Sequence, residues 1–163
     1  MKIKLLTADD WKIWKKLRLE ALQDSPMSFG SSYEEELHWP DLEVQNELNK
    51  SNIFGAFVDD MFVASAGFYT LNSMKTKHRG IIWGMYTHPE YRKQGIASAL
   101  IQAVVTHAKS HVNQVHLTCV TNNLAAIQFY LRHGFKIYGT EPRALKIGDT
   151  FFHEHLMILE LNE

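Results

Sequence analysis

Disulfides, membrane spans and a basic field are all missing from this chain. Cys119 is the only cysteine among 163 residues, so an internal disulfide framework is excluded and cysteine usage gives no hint of secretion. No run reaches the roughly 20 apolar residues that a spanning helix needs. The opening Met1-Lys2-Ile3-Lys4-Leu5-Leu6 is too short an apolar run for a signal peptide, and Thr7-Ala8-Asp9-Asp10 ends it. A cytoplasmic location is therefore expected. The formal net charge of −1 offers nothing to attract nucleic acid, and no polybasic run suits a membrane surface. Internal repeats, low-complexity tracts and linkers are absent too, so one domain over residues 1–163 is expected. What is there is core material: 45% hydrophobic against 21% charged residues excludes a disordered chain.

The periodicity reads as a mixed α/β domain. Ile3 to Leu5 form a short strand, and Asp9 or Asp10 can cap the helix that follows. That helix carries a stripe of Trp11, Trp14, Leu17 or Arg18, and Ala21, and stops at Asp24-Ser25-Pro26. A broken helical region runs from about 32 to 49, interrupted at Pro40. Strands at 53–58 and 62–69 flank Asp59-Asp60, a two-residue hairpin loop. A third strand, 81–86, leads through a basic loop into a helix whose apolar face is Ile96, Ala97, Leu100, Ile101, Val104, Val105 and Ala108. Then come a strand at 115–120, a helix capped by Asn122 or Asn123 and closed at Gly134, and strands at 135–138 and 151–161 joined by a link that turns at Ile147-Gly148-Asp149. The order β-α-α-β-β-β-α-β-α-β-β implies antiparallel pairs plus one crossover.

Chemistry concentrates at Arg92-Lys93-Gln94-Gly95-Ile96-Ala97. A strand runs into a tight basic loop that opens directly into a helix, aiming bare backbone N–H groups at one spot. Gly95 lets an anion approach the backbone, and Ala97 and Ser98 add little bulk. No Gly-Lys-Ser/Thr follows and the first glycine of a dinucleotide fingerprint is missing, so neither a nucleotide-hydrolysing loop nor a dinucleotide fold is indicated. The loop fits a phosphate-bearing cofactor.

The segment MYTHPEYRKQGIASALI resembles motif A of the GNAT superfamily of acetyl-CoA-dependent N-acyltransferases, with Arg92, Gly95 and Ala97 filling its pattern. VTNNLAAIQFYLRHGFKIYG resembles the same family's motif B. The resemblance covers nearly the whole chain. It implies a central, mostly antiparallel sheet of six to seven strands flanked by about four helices. It implies acetyl-CoA as co-substrate, gripped by the main chain of Met85, Tyr86 and Thr87 and by Arg92, Lys93, Gln94, Gly95, Ile96, Ala97 and Ser98, with Asn123 contacting it as well as capping its helix. Gly84 reads as a bulge or as a packing glycine.

Tyr130 matches the family tyrosine near the cofactor sulfur. A phenol of pKa near ~10 donates a proton to a leaving thiolate without being ionised at neutral pH. The implied reaction is acetyl transfer to a primary amine, either a small molecule or a peptide N-terminus. A non-catalytic acyl-CoA sensor is the alternative. The resemblance suggests a homodimer and places Phe29, Tyr33 and Glu34 beside the acceptor. The general base is not evident, because the strand before motif A holds no carboxylate and Thr118 stands where some relatives carry glutamate. Glu34, Glu35, Glu36, Glu141 and Glu154 are the candidates. No metal is expected, since His107 with His111, and His153 with His155, lack a third ligand. Cys119 reads as a buried, inert thiol.

Overall fold

One seven-stranded sheet organises the chain, of which the computed structural model describes residues 1–161. Its strands are β1 (Lys2–Leu5), β2 (Asn52–Val58), β3 (Met61–Thr70), β4 (Arg79–Thr87), β5 (Gln114–Val120), β6 (Lys136–Ile147) and β7 (Thr150–Glu160), ordered β1-β2-β3-β4-β5-β7-β6. Every neighbouring pair is antiparallel except β4–β5. A parallel pair needs a crossover, which helix α4 (Ile96–Ala108) supplies. Helices α1 (Trp11–Asp24), α2 (Tyr33–Leu37) and α3 (Asp41–Lys50) lie between β1 and β2, and α5 (Leu124–Arg132) lies between β5 and β6. Five α-helices thus appear among the described residues where about four were expected. Pro40, which has no N–H to continue a helix, separates α2 from α3.

The two faces of the sheet have separate cores. On one, the α4 stripe of Ile96, Leu100, Ile101 and Val104 packs with Ala64, Ala66 and Phe68 of β3 and Met157 of β7. Leu100 and Val104 are wholly inaccessible, and each such burial contributes about 1.5–3 kcal/mol. On the other face, Trp14, Val44, Leu48 and Ile53 form one cluster, and Leu17, Ala21, Leu22, Phe29 and Tyr86 form a second. Asp59 and Asp60 turn the β2–β3 hairpin with φ of 49° and 63°, the doubly positive conformation that matches strand twist.

The link expected over 139–146 is instead strand. β6 runs through it and pairs with β7 as a long hairpin turning after Ile147, with Gly148 at φ 59°. The register breaks between Glu141 and Leu145, around Pro142 and Arg143 (φ 53°). A proline without a ladder donor and a bulge erase the two-residue alternation, and most of β6 is exposed, so no apolar period marks it.

Candidate active site

The sheet splits at its one parallel pair. β4 and β5 are in register only at Arg79↔Gln114, Gly80↔Val115 and Ile81↔His116; beyond Ile81 the strands part. On its other side β4 stays paired to β3 through Tyr86↔Ser65 and Thr87↔Ala64, with a bulge opposite Ala66. Gly84 sits in that bulge with φ +63°, which an L side chain rarely adopts. The packing duty weighed for Gly84 belongs to Gly67, where a Cβ would lie 2.4 Å from Trp83 Cε2.

Two cavities open in the split. The smaller, about 100 Å³, is lined by Met85, Thr118, Cys119, Asn123 and Tyr130 among others. The larger, about 300 Å³, lies on the face toward α1 and is lined by Arg18, Phe29, Arg79, His116, Tyr138 and Glu154 among others. Ser28, Trp83, Gly84 and Thr118 line both, so the two meet where β4 leaves β5.

At the phosphate-type loop, Lys93 (φ 62°) and Gly95 (φ 79°) both take the left-handed conformation and α4 begins at once. Successive amides turned this way form an anion-binding concavity. Among the described residues no carbonyl accepts the amides of Lys93, Gln94, Gly95, Ile96, Ala97 or Ser98. A Cβ on Gly95 would meet nothing within 4 Å, so the approach is open. These features fit a diphosphate.

Two side chains of this loop are engaged elsewhere. Gln94 donates to the Glu90 carbonyl at 3.2 Å. Arg92 donates to the Thr87 carbonyl at 2.9 Å and to Asp24 Oδ2 at 2.8 Å. Its guanidinium lies 5.4 Å from the Tyr86 ring centroid, and Tyr86 donates to the same Asp24 oxygen at 3.3 Å. Hydrogen bonding by Arg92 holds the Asp24 carboxyl below the usual range. Burial first, then the Asp24 charge, pushes the Tyr86 phenol up to about 12. This clamp joins the end of α1, strand β4 and the loop.

Tyr130 is buried on α5, and no described residue hydrogen-bonds its hydroxyl. Burial, then the neighbouring Cys119, raises its pKa, so it stays a phenol at any working pH. Burial likewise pushes Cys119 up to about 11, leaving it an unreactive thiol beside the phenol. Asn123 caps α5, its Oδ1 accepting from Ala126 N at 3.2 Å, and also lines the smaller cavity.

The acceptor-side residues divide. Phe29 lines the larger cavity and also a neighbouring hollow of about 620 Å³ between α2 and β6. Tyr33, Glu34 and Glu35 line only that hollow. Glu36 is buried in a two-point pair with Arg18, at 2.9 Å for both contacts, and has no freedom to act as a base. Glu141 is exposed opposite Glu154. Glu154 alone among the five lines the larger cavity. Its pKa is raised by burial, with Thr118 hydrogen bonding opposing and the Glu141 charge adding.

Sequence reasoning missed Arg18, Arg79, His116 and Tyr138. Arg79 can only donate, so His116 Nε2 accepts from its Nε at 3.3 Å, and the ring proton sits on Nδ1 facing Tyr138 Oη at 3.2 Å. Burial and the Arg79 charge lower the His116 pKa, consistent with a neutral ring. One signal was available: Arg18 falls at an apolar-stripe position of α1, where a charge needs a buried partner.

The model of the acetyltransferase (GNAT) family matches residues 14–135, well over half of the chain. The chain belongs to that family. Its enzymes are acyltransferases, and acetyl-CoA is their acetyl donor. Among curated proteins none matches the sequence. Solved structures match the fold end to end. An acetyltransferase of the GNAT family from Streptococcus pneumoniae superposes with TM-score 0.87 at 19% identity, over 99% of each chain. A probable acetyltransferase from Staphylococcus epidermidis gives 0.79 at 23%, over 98% of each. The putative acetyltransferase yncA of Salmonella typhimurium, solved with its cofactor acetyl-CoA, gives 0.81 at 15%, over 100% of this chain and 95% of that one. No described helix is long and apolar enough to cross a membrane.

Proposed function

We propose that the chain, acting as one domain over residues 1–163, transfers the acetyl group of acetyl-CoA to a primary amine by direct attack. The observation that carries this reading is the continuity of the two cavities through the sheet, with an open amide loop before α4 and the Tyr130 phenol lining the smaller cavity. The amides of residues 93–98 hold the diphosphate. The freed edge of β4 at Met85–Thr87 takes the pantetheine arm as an added strand would. One N–H of that segment faces the thioester oxygen as it gains charge.

The amine enters from the larger cavity. A C–N bond forms and the C–S bond breaks; an acceptor that enters as an ammonium sheds one proton to solvent, the amine nitrogen sheds a second as it attacks, and one proton reaches sulfur. Tyr130 gives the proton to the departing thiolate. Glu154 takes the proton from nitrogen, directly or through one water, and solvent returns it to Tyr130. Replacing Tyr130 by Phe should lower kcat by about 10²–10⁴-fold while leaving the Kd for CoA within a few-fold, read by free-thiol release and by calorimetry. Unchanged turnover would remove Tyr130 from the chemistry. A protein that binds acetyl-CoA yet never releases thiol with any amine would be a sensor instead.

A further inference from the structure

The larger cavity is charged in an uneven way. Arg18 is 10% exposed and Glu36 4% exposed, and their pairing uses Arg18 Nε and Nη2. The remaining nitrogen, Nη1, is buried and has no hydrogen-bond partner. It lies 3.4 Å from where a Gly84 Cβ would stand, beside the bulge at which the strands part. The rings of Phe29 and Trp83 hold the guanidinium at 4.9 and 5.5 Å, which fixes its plane. A buried donor left unmet is costly, and a guanidinium so held presents its N–H groups to the cavity without further ordering.

A second guanidinium, that of Arg79, stands at the start of β4. Arg79 touches only the neutral His116 ring and makes no ion pair among the described residues. Among the described residues the only carboxylate lining the cavity is Glu154. The lining therefore offers a carboxylate to an amine, a spare N–H donor on the Glu36-paired Arg18 and the charge of Arg79. A cavity of about 300 Å³ suits a compact molecule.

Resting on the transferase reading, the geometry points to an acceptor of the free amino acid class. Its amine faces Glu154, and a carboxylate beside the amine accepts from Arg18 Nη1 in the field of Arg79. Amines with no anionic group gain nothing from the two arginines. Polycationic acceptors meet repulsion.

The test compares the common amino acids with their decarboxylated amines and with their carboxamides, which keep a carbonyl but lose the charge. Thiol release gives kcat and KM, and calorimetry on the CoA-bound protein gives affinity independently of turnover. The free acid should show a KM lower by roughly 10- to 100-fold than its decarboxylated partner, the range of a hydrogen bond to a charged group. Arg18→Lys keeps a cation for Glu36 but removes Nη1. It should erase that ratio while acetyl-CoA affinity holds. Arg79→Gln should reduce the ratio by a smaller factor and disturbs no ion pair. Equal use of acids and amines, a preference for carboxamides or peptide N-termini, or an unchanged ratio in Arg18→Lys would overturn the acceptor class and leave the transferase reading standing. Acetyl-CoA binding with no thiol release for any acceptor would instead overturn both.

Discussion

Replacing Gly84 by Ala tests whether the split sheet depends on one backbone conformation. At φ +63° an alanine is strained, by about 1–2 kcal/mol, and its Cβ would stand 3.4 Å from Arg18 Nη1. For a chain of this size each kcal/mol lowers Tm by roughly 2–4 °C, so a fall of about 2–8 °C is expected. Gly148→Ala is the matched control. It imposes the same strain at φ +59°, in a hairpin turn where a Cβ meets nothing within 4 Å. Both variants should therefore melt earlier by similar amounts. Only Gly84→Ala should also lose ligand response, because relief of its strain flattens the bulge and re-pairs the edge that the pantetheine needs. At 100 times its Kd, acetyl-CoA adds about 2.7 kcal/mol to a binding-competent protein. Thermal shift with and without acetyl-CoA reads both effects. An undiminished acetyl-CoA shift and normal turnover in Gly84→Ala would refute the idea that the bulge keeps the cleft open.

Glu154→Gln should lower kcat by about 10²–10⁴-fold and remove the acid limb of the kcat/KM profile, which rises as Glu154 ionises above the ordinary glutamate range. The residual rate should then track the amine's own ionisation, toward alkaline pH, and a retained acid limb would assign the base elsewhere. Stability should fall as pH drops below about 6.5. His116 and His107 both have folded pKa values below the ordinary 6.5, chiefly through burial, so the unfolded chain binds more protons between those values and 6.5. The fall should level off below the folded values. His116→Gln should flatten part of that slope in urea midpoints measured from pH 7.5 to 5, and an identical slope would exclude His116 as a source.

The parts of this fold that repeat locally were legible in sequence. The α4 stripe, the Asp59-Asp60 turn and the split of the second helical region at Pro40 each follow from a few neighbouring residues. The β6 hairpin was not, because Pro142 and Arg143 break its alternation and both faces meet solvent. The same division runs through the site. Motif A and the Asn123 cap are contiguous and could be read. Arg18 with Glu36, and Asp24 with Tyr86 and Arg92, are joined across 18 to 68 positions by packing alone. Arg92 shows the limit most clearly. Its place in a basic loop could be read, but its exposed pairing with Asp24, 68 positions away, could not. Choosing Glu154 from five carboxylates likewise needed the sheet, since only strand order puts β7 beside β5.

Helix α1 carries Asp24 on its final turn and Arg18 less than two turns earlier. One rigid rod is thus latched to the loop before α4 at its tip and reaches the larger cavity along its shaft. Redesigning this enzyme for another acceptor by exchanging that rod would unhitch the donor side as well, unless the latch residue travels with the graft.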